Sequence, residues 1–328
     1  MHRRNNLSTL AIGGLLLAPF FVTAQKPAQP PAQTAPQPQA QASDSGDAVF
    51  SSETRLVPLN VTVADKGGHL LTTLPQSAFQ VYENGVLQQI KLFKQEDVPV
   101  SMGLIIDNSG SMRERRQAVE SAALALVKDS NKQDEVFIVN FNDEAYRDTD
   151  FTSDEKVLEQ GLTKIDSRGG TAMRDAIVGS IDYIKAKAKR DKKVILVVTD
   201  GNDNASLSSL ETLIRSARQE DVLIYAIGIL SEEEKKEAKK AERTLNEITS
   251  DTGGLVFYPK DVSEVEKLAH QVAKDIRSQY TIAYTSSNGA LDGGYRQIKV
   301  TVKGPGNPVA RTRSGYYATA PKAAKSPS

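Results

Sequence analysis

The sequence predicts an α/β protein in which a doubly wound, mostly parallel sheet is inserted between N- and C-terminal β segments that form a small β-sandwich-like domain. Two observations predict this fold. Between residues 98 and 275, short apolar runs alternate with amphipathic helical patterns, which is the order that produces a parallel sheet covered by helices. On both sides of that region, apolar and polar residues alternate, as in strands with one buried face. The predicted limits of the three parts are 49–97, 98–275 and 276–318.

The first residues have the pattern of a secretory signal peptide. Arg3 and Arg4 precede an apolar stretch over residues 7–22, and Val22-Thr23-Ala24 places small residues where a signal peptidase cleaves. We therefore predict a signal peptide over residues 1–24, cleaved after Ala24, and an exported protein that is periplasmic or extracellular. An uncleaved membrane anchor is the alternative, but the apolar run is short for a span of about 20 residues and contains Pro19.

Two further segments have little to bury. Residues 25–48 are rich in Pro, Gln and Ala, which is typical of a disordered or partly polyproline II spacer. Residues 319–328 form a polar tail of Ala, Lys and Ser that we also predict to be disordered. The chain has no Cys, so no disulfide supports the fold in spite of the predicted export.

The flanking β segments are predicted from alternation and turn residues. On the N-terminal side, strands are expected at 55–64, 79–83 and 86–93, with Asn84-Gly85 as a hairpin turn. On the C-terminal side, strands are expected at 280–284, 295–302 and 310–316. About 45 residues of antiparallel strands are marginal alone, so we expect the two segments to complete one β domain.

The central region supplies the elements of a doubly wound sheet. The first strand is predicted to end at residue 107, and further strands are predicted at 135–141, 146–151, 194–200, 222–229 and 254–258. Helices are predicted at 113–128, 156–165, 172–189, 207–219 and 232–249. In the usual strand order 3-2-1-4-5-6, strands one and four are neighbours at the point where ligands bind in such sheets.

Polar side chains follow these two strands. Asp107, Ser109 and Ser111 come directly after the first apolar run, and Asp200 ends the fourth. Thr171 follows Gly169-Gly170 and opens a helical pattern. One carboxylate and two hydroxyls on alternate residues can converge on a hard cation that prefers oxygen ligands, and Mg²⁺ suits such a loop because it keeps several waters. Asp-x-Ser-x-Ser alone is a weak motif among residues this common, so the two later segments decide the interpretation.

Together these residues resemble the von Willebrand factor A (VWA) domain and its metal-ion-dependent adhesion site (MIDAS). Asp107, Ser109 and Ser111 match the first loop of that site, Thr171 the second and Asp200 the third. The folded region, about residues 49–318, resembles secreted bacterial proteins in which a VWA domain is framed by β segments.

The resemblance implies a function. In the family the three hydroxyls typically bind the metal directly, the acidic residues act directly or through water, and one coordination position is left for a carboxylate of the partner. It therefore implies a non-enzymatic adhesion or scaffold module that binds Mg²⁺, or Mn²⁺ or Ca²⁺, and through it an Asp or Glu of a partner protein. The net charge of zero, from 41 basic and 41 acidic residues, indicates no nucleic-acid partner.

Two other interpretations stay open. A haloacid-dehalogenase-like phosphohydrolase also has an Asp after strand one, and Thr199-Asp200-Gly201 is similar to its later loop, but its general acid two residues on would be Ser109 here. The second interpretation is a scaffold protein whose metal site is unoccupied. Asp203 and Asn204 are expected to form a turn and cap the next helix rather than bind a second ion. The three His residues are scattered, so no zinc site is predicted.

Overall fold

The computed structural model describes residues 56–129, 131–163, 167–201, 203–230 and 235–319. In chain order the strands are β1 (Leu56–Ala64), β2 (Phe79–Glu83), β3 (Val86–Gln88), β4 (Ile90–Lys94), β5 (Val100–Asp107), β6 (Glu135–Phe141), β7 (Ala145–Thr152), β8 (Lys192–Thr199), β9 (Val222–Gly228), β10 (Val256–Phe257), β11 (Tyr280–Thr285), β12 (Tyr295–Val302), β13 (Val309–Arg311) and β14 (Gly315–Tyr317). The α-helices are α1 (Arg116–Lys128), α2 (Glu155–Leu162), α3 (Met173–Lys187), α4 (Leu210–Glu220), α5 (Lys235–Thr252) and α6 (Val265–Arg277). The predicted signal peptide and spacer, and residues 320–328 of the predicted tail, lie outside the described residues.

The central sheet confirms the predicted topology. Its order is β10-β9-β8-β5-β6-β7, so the first and fourth strands of the domain, β5 and β8, are neighbours. All pairs are parallel except β6 with the edge strand β7. Strands β5, β6, β8 and β9 are almost entirely buried, because helices cover both faces of the sheet.

Two apolar cores lie on the two faces of this sheet. One contains buried residues of α1, α2 and α6, and the other contains buried residues of α3, α4 and α5. In β5 successive side chains alternate between them, with Leu104 and Ile106 in the first core and Ile105 in the second. A strand that serves two cores needs apolar residues on both of its faces, which is why most positions of β5 are apolar.

The flanking segments form a sandwich of two four-stranded sheets, as predicted. Their orders are β13-β1-β11-β4 and β14-β12-β2-β3, so strands from both ends of the chain share each sheet. A third core between the sheets contains Leu59, Val81 and Ile282. The buried Glu83 carboxylate, at the end of β2, accepts hydrogen bonds from Tyr284 Oη at 2.7 Å and Tyr316 Oη at 3.0 Å.

Several predicted elements need correction. The single strand expected at 86–93 is two strands, β3 and β4, which pair in different sheets, and the one expected at 310–316 divides into β13 and β14 in the same way. In both places the chain crosses from one sheet to the other. The helix expected from residue 113 begins as a 3-10 turn, Gly110–Arg115, and the last central strand is only Val256–Phe257. Helix α6 was not predicted, although its apolar residues recur at helical spacing.

Ion pairs join the sandwich to the central domain. Arg311 Nη2 lies 2.8 Å from Asp275 Oδ2 of α6, and Arg313 Nη1 lies 2.7 Å from Asp221 Oδ1 after α4. In each pair one partner, Asp275 or Arg313, is almost fully buried, and the other is partly exposed. The domain limits 49–97, 98–275 and 276–318 stay predictions.

Candidate metal centre

The predicted site residues lie at the carboxyl edge of the central sheet, at the switch point between β5 and β8. Asp107 is the last residue of β5, and Asp200 directly follows β8, its neighbour in the sheet. Thr171 precedes the first turn of α3. The topology therefore brings together three loops that are far apart in sequence, at the edge where open α/β sheets bind ligands.

Asp107 is held by hydrogen bonds on both carboxylate oxygens. Its side chain is buried, and its Oδ1 accepts from the Ser109 backbone N–H at 2.9 Å. Its Oδ2 accepts from Thr199 Oγ1 at 2.6 Å, and that hydroxyl accepts in turn from the Gly201 N–H at 2.9 Å. Thr199 and Gly201 were not predicted to position Asp107, although both adjoin Asp200 in the sequence.

Hydroxyl groups connect the first loop to the third. Ser109 Oγ and Ser111 Oγ are 3.1 Å apart, and Ser111 Oγ donates to Asp200 Oδ2. With the bond of Asp107 to the Ser109 backbone, the side chains of four predicted residues form one connected group. The second loop, which contains the buried Thr171, contacts the first loop through the backbone: Gly110 N–H donates to Gly169 O at 3.2 Å.

The second loop is fixed to the first by further bonds that the sequence did not reveal. Arg168 N–H donates to Asn108 O at 3.1 Å, and Ser167 Oγ donates to Asn108 Oδ1 at 3.0 Å. Gly169 has a φ of 75°, in the left-handed region that favours glycine, so a tight turn can present its carbonyl to the first loop. The pair Gly169-Gly170 before Thr171 was the sequence signal for this turn.

Asp203 caps helix α3 and Asn204 bonds the segment just before it, so neither caps the next helix as predicted. Asp203 Oδ2 accepts from the Arg174 N–H at 2.8 Å, and Asn204 Oδ1 accepts from the Thr171 N–H at 2.9 Å. Ala172, at the N-cap of α3, provides no side-chain bond, so residues of the third loop satisfy these donors. Helix α4 is capped by its own Ser209.

The electrostatics of the site favour a cation. Burial, followed by the charge of Asp200, raises the pKa of Asp107 from its usual 3.8 to about 6, although hydrogen bonds from Thr199 and Ser109 oppose the shift. Arg115 Nη1 is 3.9 Å from Asp200 Oδ2, too far for a hydrogen bond. Two neighbouring carboxylates with adjacent hydroxyl oxygens are a donor set that fits a hard divalent ion.

The histidines do not contribute to a metal centre in the described part of the chain. His69 pairs with Asp65 at 3.0 Å, and His270 pairs with Asp129 on the surface. Among the described residues no group of three or more His, Cys, Asp or Glu side chains could hold a metal ion. A metal centre at the sheet edge would therefore depend on hydroxyl oxygens as well as carboxylates. Oxygen ligands favour Mg²⁺, Mn²⁺ or Ca²⁺ over metals that prefer nitrogen and sulfur ligands.

A doubly wound α/β domain with hydroxyl and carboxylate groups gathered at its switch point defines the class of this molecule. The chain belongs to the von Willebrand factor type A domain family, which it matches over residues 102–271. This confirms the resemblance found in the sequence. VWA domains are generally protein-interaction modules rather than enzymes.

Comparison with known proteins gives more distant likenesses. The chain is 25% identical over 196 residues to calcium-activated chloride channel regulator 1 of Equus caballus, covering 57% of this chain and 19% of the relative. It is 33% identical over 107 residues to integrin alpha-11 of Mus musculus, covering 30% and 9%. The solved von Willebrand factor type A protein from Catenulispora acidiphila is 14% identical, with a TM-score of 0.48 over 82% of this chain and 75% of that chain. The chain thus spans less than a fifth of the curated relatives named here.

Proposed function

We propose that this protein is an exported, non-enzymatic binding module, of the adhesion or scaffold type, that holds a divalent cation at the sheet edge and through it binds an Asp or Glu of a partner protein. The proposed ligand residues are Asp107, Ser109, Ser111, Thr171 and Asp200. One observation carries the proposal: the Ser111 hydroxyl bonds Asp200 across the switch point, in a group that begins at the buried Asp107.

Mg²⁺ is the proposed cation, with Mn²⁺ and Ca²⁺ as alternatives. When bound, the cation supplies positive charge that a partner carboxylate can approach. Ser109, Ser111 and Thr171 offer neutral hydroxyls, which leave more of that charge unbalanced than carboxylates would. Asp107 is held in place by Thr199 and the Ser109 backbone, so its geometry does not depend on the ion. The chain's own residues therefore preorganise the first loop.

Calorimetry of the purified protein tests the cation site directly. We expect one Mg²⁺ or Mn²⁺ to bind per chain, and the variant Asp107→Ala to bind none. Asp154→Asn is a matched control, because Asp154 caps α2 on the surface and Asn is an equally good cap. Equal binding by the wild type and Asp107→Ala would exclude these loops, and no binding by either would support the scaffold with an unoccupied site.

Affinity capture tests the partner half of the proposal. The protein is immobilised and exposed to envelope extracts in Mg²⁺ or in a chelator. Capture that requires Mg²⁺ and is lost in Asp107→Ala and Thr171→Ala is expected, as is loss when one Asp or Glu of the captured protein becomes Ala. Capture that survives the chelator would contradict the role of the cation.

The phosphohydrolase interpretation gains no support from the site. The position of its general acid is Ser109, whose hydroxyl lies beside Ser111, and Asp107 is buried. A screen of phosphate esters in Mg²⁺ decides the question. Turnover that disappears in Asp107→Asn would overturn the binding proposal.

Export is proposed from residues 1–24 alone. Mass spectrometry of the protein from a periplasmic or extracellular fraction should find a chain that begins at Gln25, and an intact Met1 there would contradict cleavage. In the part of the chain that the structure describes, no helix is both long and apolar enough to cross a bilayer.

A further inference from the structure

Leu207, in the third loop, is the most exposed large apolar side chain among the described residues. It is 97% exposed, whereas the next, Val309, is 58% exposed. Its neighbours in the loop are Asn204, Ala205, Ser206 and Ser208, which are small or polar. Single exposed apolar residues are common on protein surfaces, so exposure alone identifies no site. Two further features distinguish Leu207: the backbone around it is held by hydrogen bonds, and its loop contacts a proposed ligand residue.

The backbone on both sides of Leu207 is fixed. The Leu207 N–H donates to Asp175 Oδ2 and the Ser208 N–H to Asp175 Oδ1, both at 2.8 Å. Just before them, Ser206 Oγ accepts from the Asp175 N–H at 3.2 Å and donates to Asp203 Oδ2 at 2.9 Å. A carboxylate that receives two successive backbone N–H groups holds a loop firmly, so the leucine side chain is presented to solvent from an ordered support.

Other bonds of the same loop reach Thr171, one of the proposed ligand residues. Thr171 O accepts from the N–H groups of Asn204 and Ala205 at 3.1 and 3.2 Å, and Asn204 Oδ1 accepts from the Thr171 N–H. Leu207 lies three positions after Asn204, which limits their Cα–Cα distance to about 11 Å. An extended partner peptide advances about 3.3 Å per residue, so two to four of its residues cover such a distance.

We propose that Leu207 determines which partners bind: the partner presents a Leu, Ile or Phe two to four positions from the acidic residue that approaches the cation. This inference rests on the proposed function. A fully exposed leucine that contributes nothing to the core gains most by burial against such a side chain, and its fixed backbone reduces the entropy lost on binding. The carboxylate would provide attachment, and the apolar neighbour would provide selection.

A peptide library tests the inference even though the partner protein is not identified. Phage-displayed peptides with a fixed central Asp and random flanks are selected on the immobilised protein in Mg²⁺ and eluted with EDTA. We expect an apolar residue to be enriched at one offset, two to four positions from the Asp. Enrichment of Asp peptides without any apolar preference would overturn the role of Leu207 alone, whereas no EDTA-sensitive enrichment at all would overturn the proposed function as well.

Variants then test the residue. For a selected synthetic peptide, Leu207→Ser should weaken binding about tenfold or more, and Leu207→Met should restore binding to within about threefold of the wild type. Leu291→Ser is the matched control, because Leu291 is also exposed but lies in a loop of the sandwich, and it should leave binding unchanged. Cation binding and the melting temperature should not change in Leu207→Ser. Equal peptide affinity of Leu207→Ser and the wild type would overturn the inference.

Discussion

Removing the charge of Asp107 should stabilise the metal-free protein. A carboxyl whose pKa rises from 3.8 to about 6 on folding lowers the free energy of unfolding at neutral pH by about 3 kcal/mol. Asp107→Asn removes this cost. It also replaces one acceptor oxygen by an amide, which disturbs one of the bonds from Thr199 and Ser109 and costs about 1 kcal/mol. In EDTA at pH 7.5 we therefore expect the variant to be about 2 kcal/mol more stable than the wild type.

The difference in stability between Asp107→Asn and the wild type should depend on pH. Because the folded pKa of Asp107 lies above the unfolded value, the folded state binds more protons between about pH 4 and 6. The wild type should gain stability relative to Asp107→Asn as the pH falls through this window, and the advantage of the variant should disappear near pH 4. Urea unfolding followed by circular dichroism, at several pH values in EDTA, measures the difference.

Mg²⁺ should reverse the order of stability. A ligand at 100 times its Kd stabilises the folded state by about 2.7 kcal/mol, and only the wild type should gain this. Asp154→Asn should follow the wild type within about 0.5 kcal/mol under every condition, because Asp154 is exposed and Asn caps equally well. The reasoning is refuted if Asp107→Asn is the less stable protein in EDTA at pH 7.5, or if its difference from the wild type is the same at pH 4.5.

Three further variants have defined outcomes. Thr171→Ala should weaken Mg²⁺ binding at least tenfold in calorimetry, since it removes a proposed hydroxyl ligand. Gly103→Ala should lower the free energy of unfolding by about 1–3 kcal/mol, because a Cβ there would lie 2.6 Å from Phe137 Cζ in the core. Burial lowers the pKa of Lys192, whose Nζ donates to Ile276 O, to about 8. The unfolded state therefore binds more protons between about pH 8 and 10.5, and stability should rise by about 2 kcal/mol between pH 8 and 10, a rise that Lys192→Met should lack.

Control variants show whether the effects of Gly103→Ala and Lys192→Met are specific to those two positions. Gly179→Ala, inside α3 where a Cβ meets nothing within 4 Å, should stabilise the protein by about 0.5–1 kcal/mol in the urea unfolding assay, which also measures Gly103→Ala. Lys193→Met should retain the rise above pH 8, since Lys192 is intact. A Gly103→Ala protein as stable as the wild type would contradict the close packing on Phe137. Mg²⁺ affinity unchanged in Thr171→Ala would remove that residue from the proposed ligands.

Local patterns predicted most of the elements because burial periodicity follows from secondary structure itself. The continuous apolar run that ends at Asp107 and the alternation of residues 295–302 correspond to β5 and β12 with little change. The missed helix α6 shows the same rule, because Val265, Val272 and Ile276 mark its buried face in the sequence. That error came from an overlooked pattern, not from a competing tertiary effect.

The sequence alone predicted the type of fold, because strand and helix patterns depend on residue types at short spacing, and the central strands follow the usual order of such sheets. The five proposed ligand residues came from the resemblance to the VWA family. Only the tertiary structure decided how strands 86–93 and 310–316 divide between two sheets, since each half pairs with a strand distant in sequence. It likewise decided that Asp203 caps α3, that Thr199 supports Asp107, and that burial and the charge of Asp200 raise the pKa of Asp107. Hydrogen bonds and charges act over a few ångströms of space, and only packing determines which distant residues come that close.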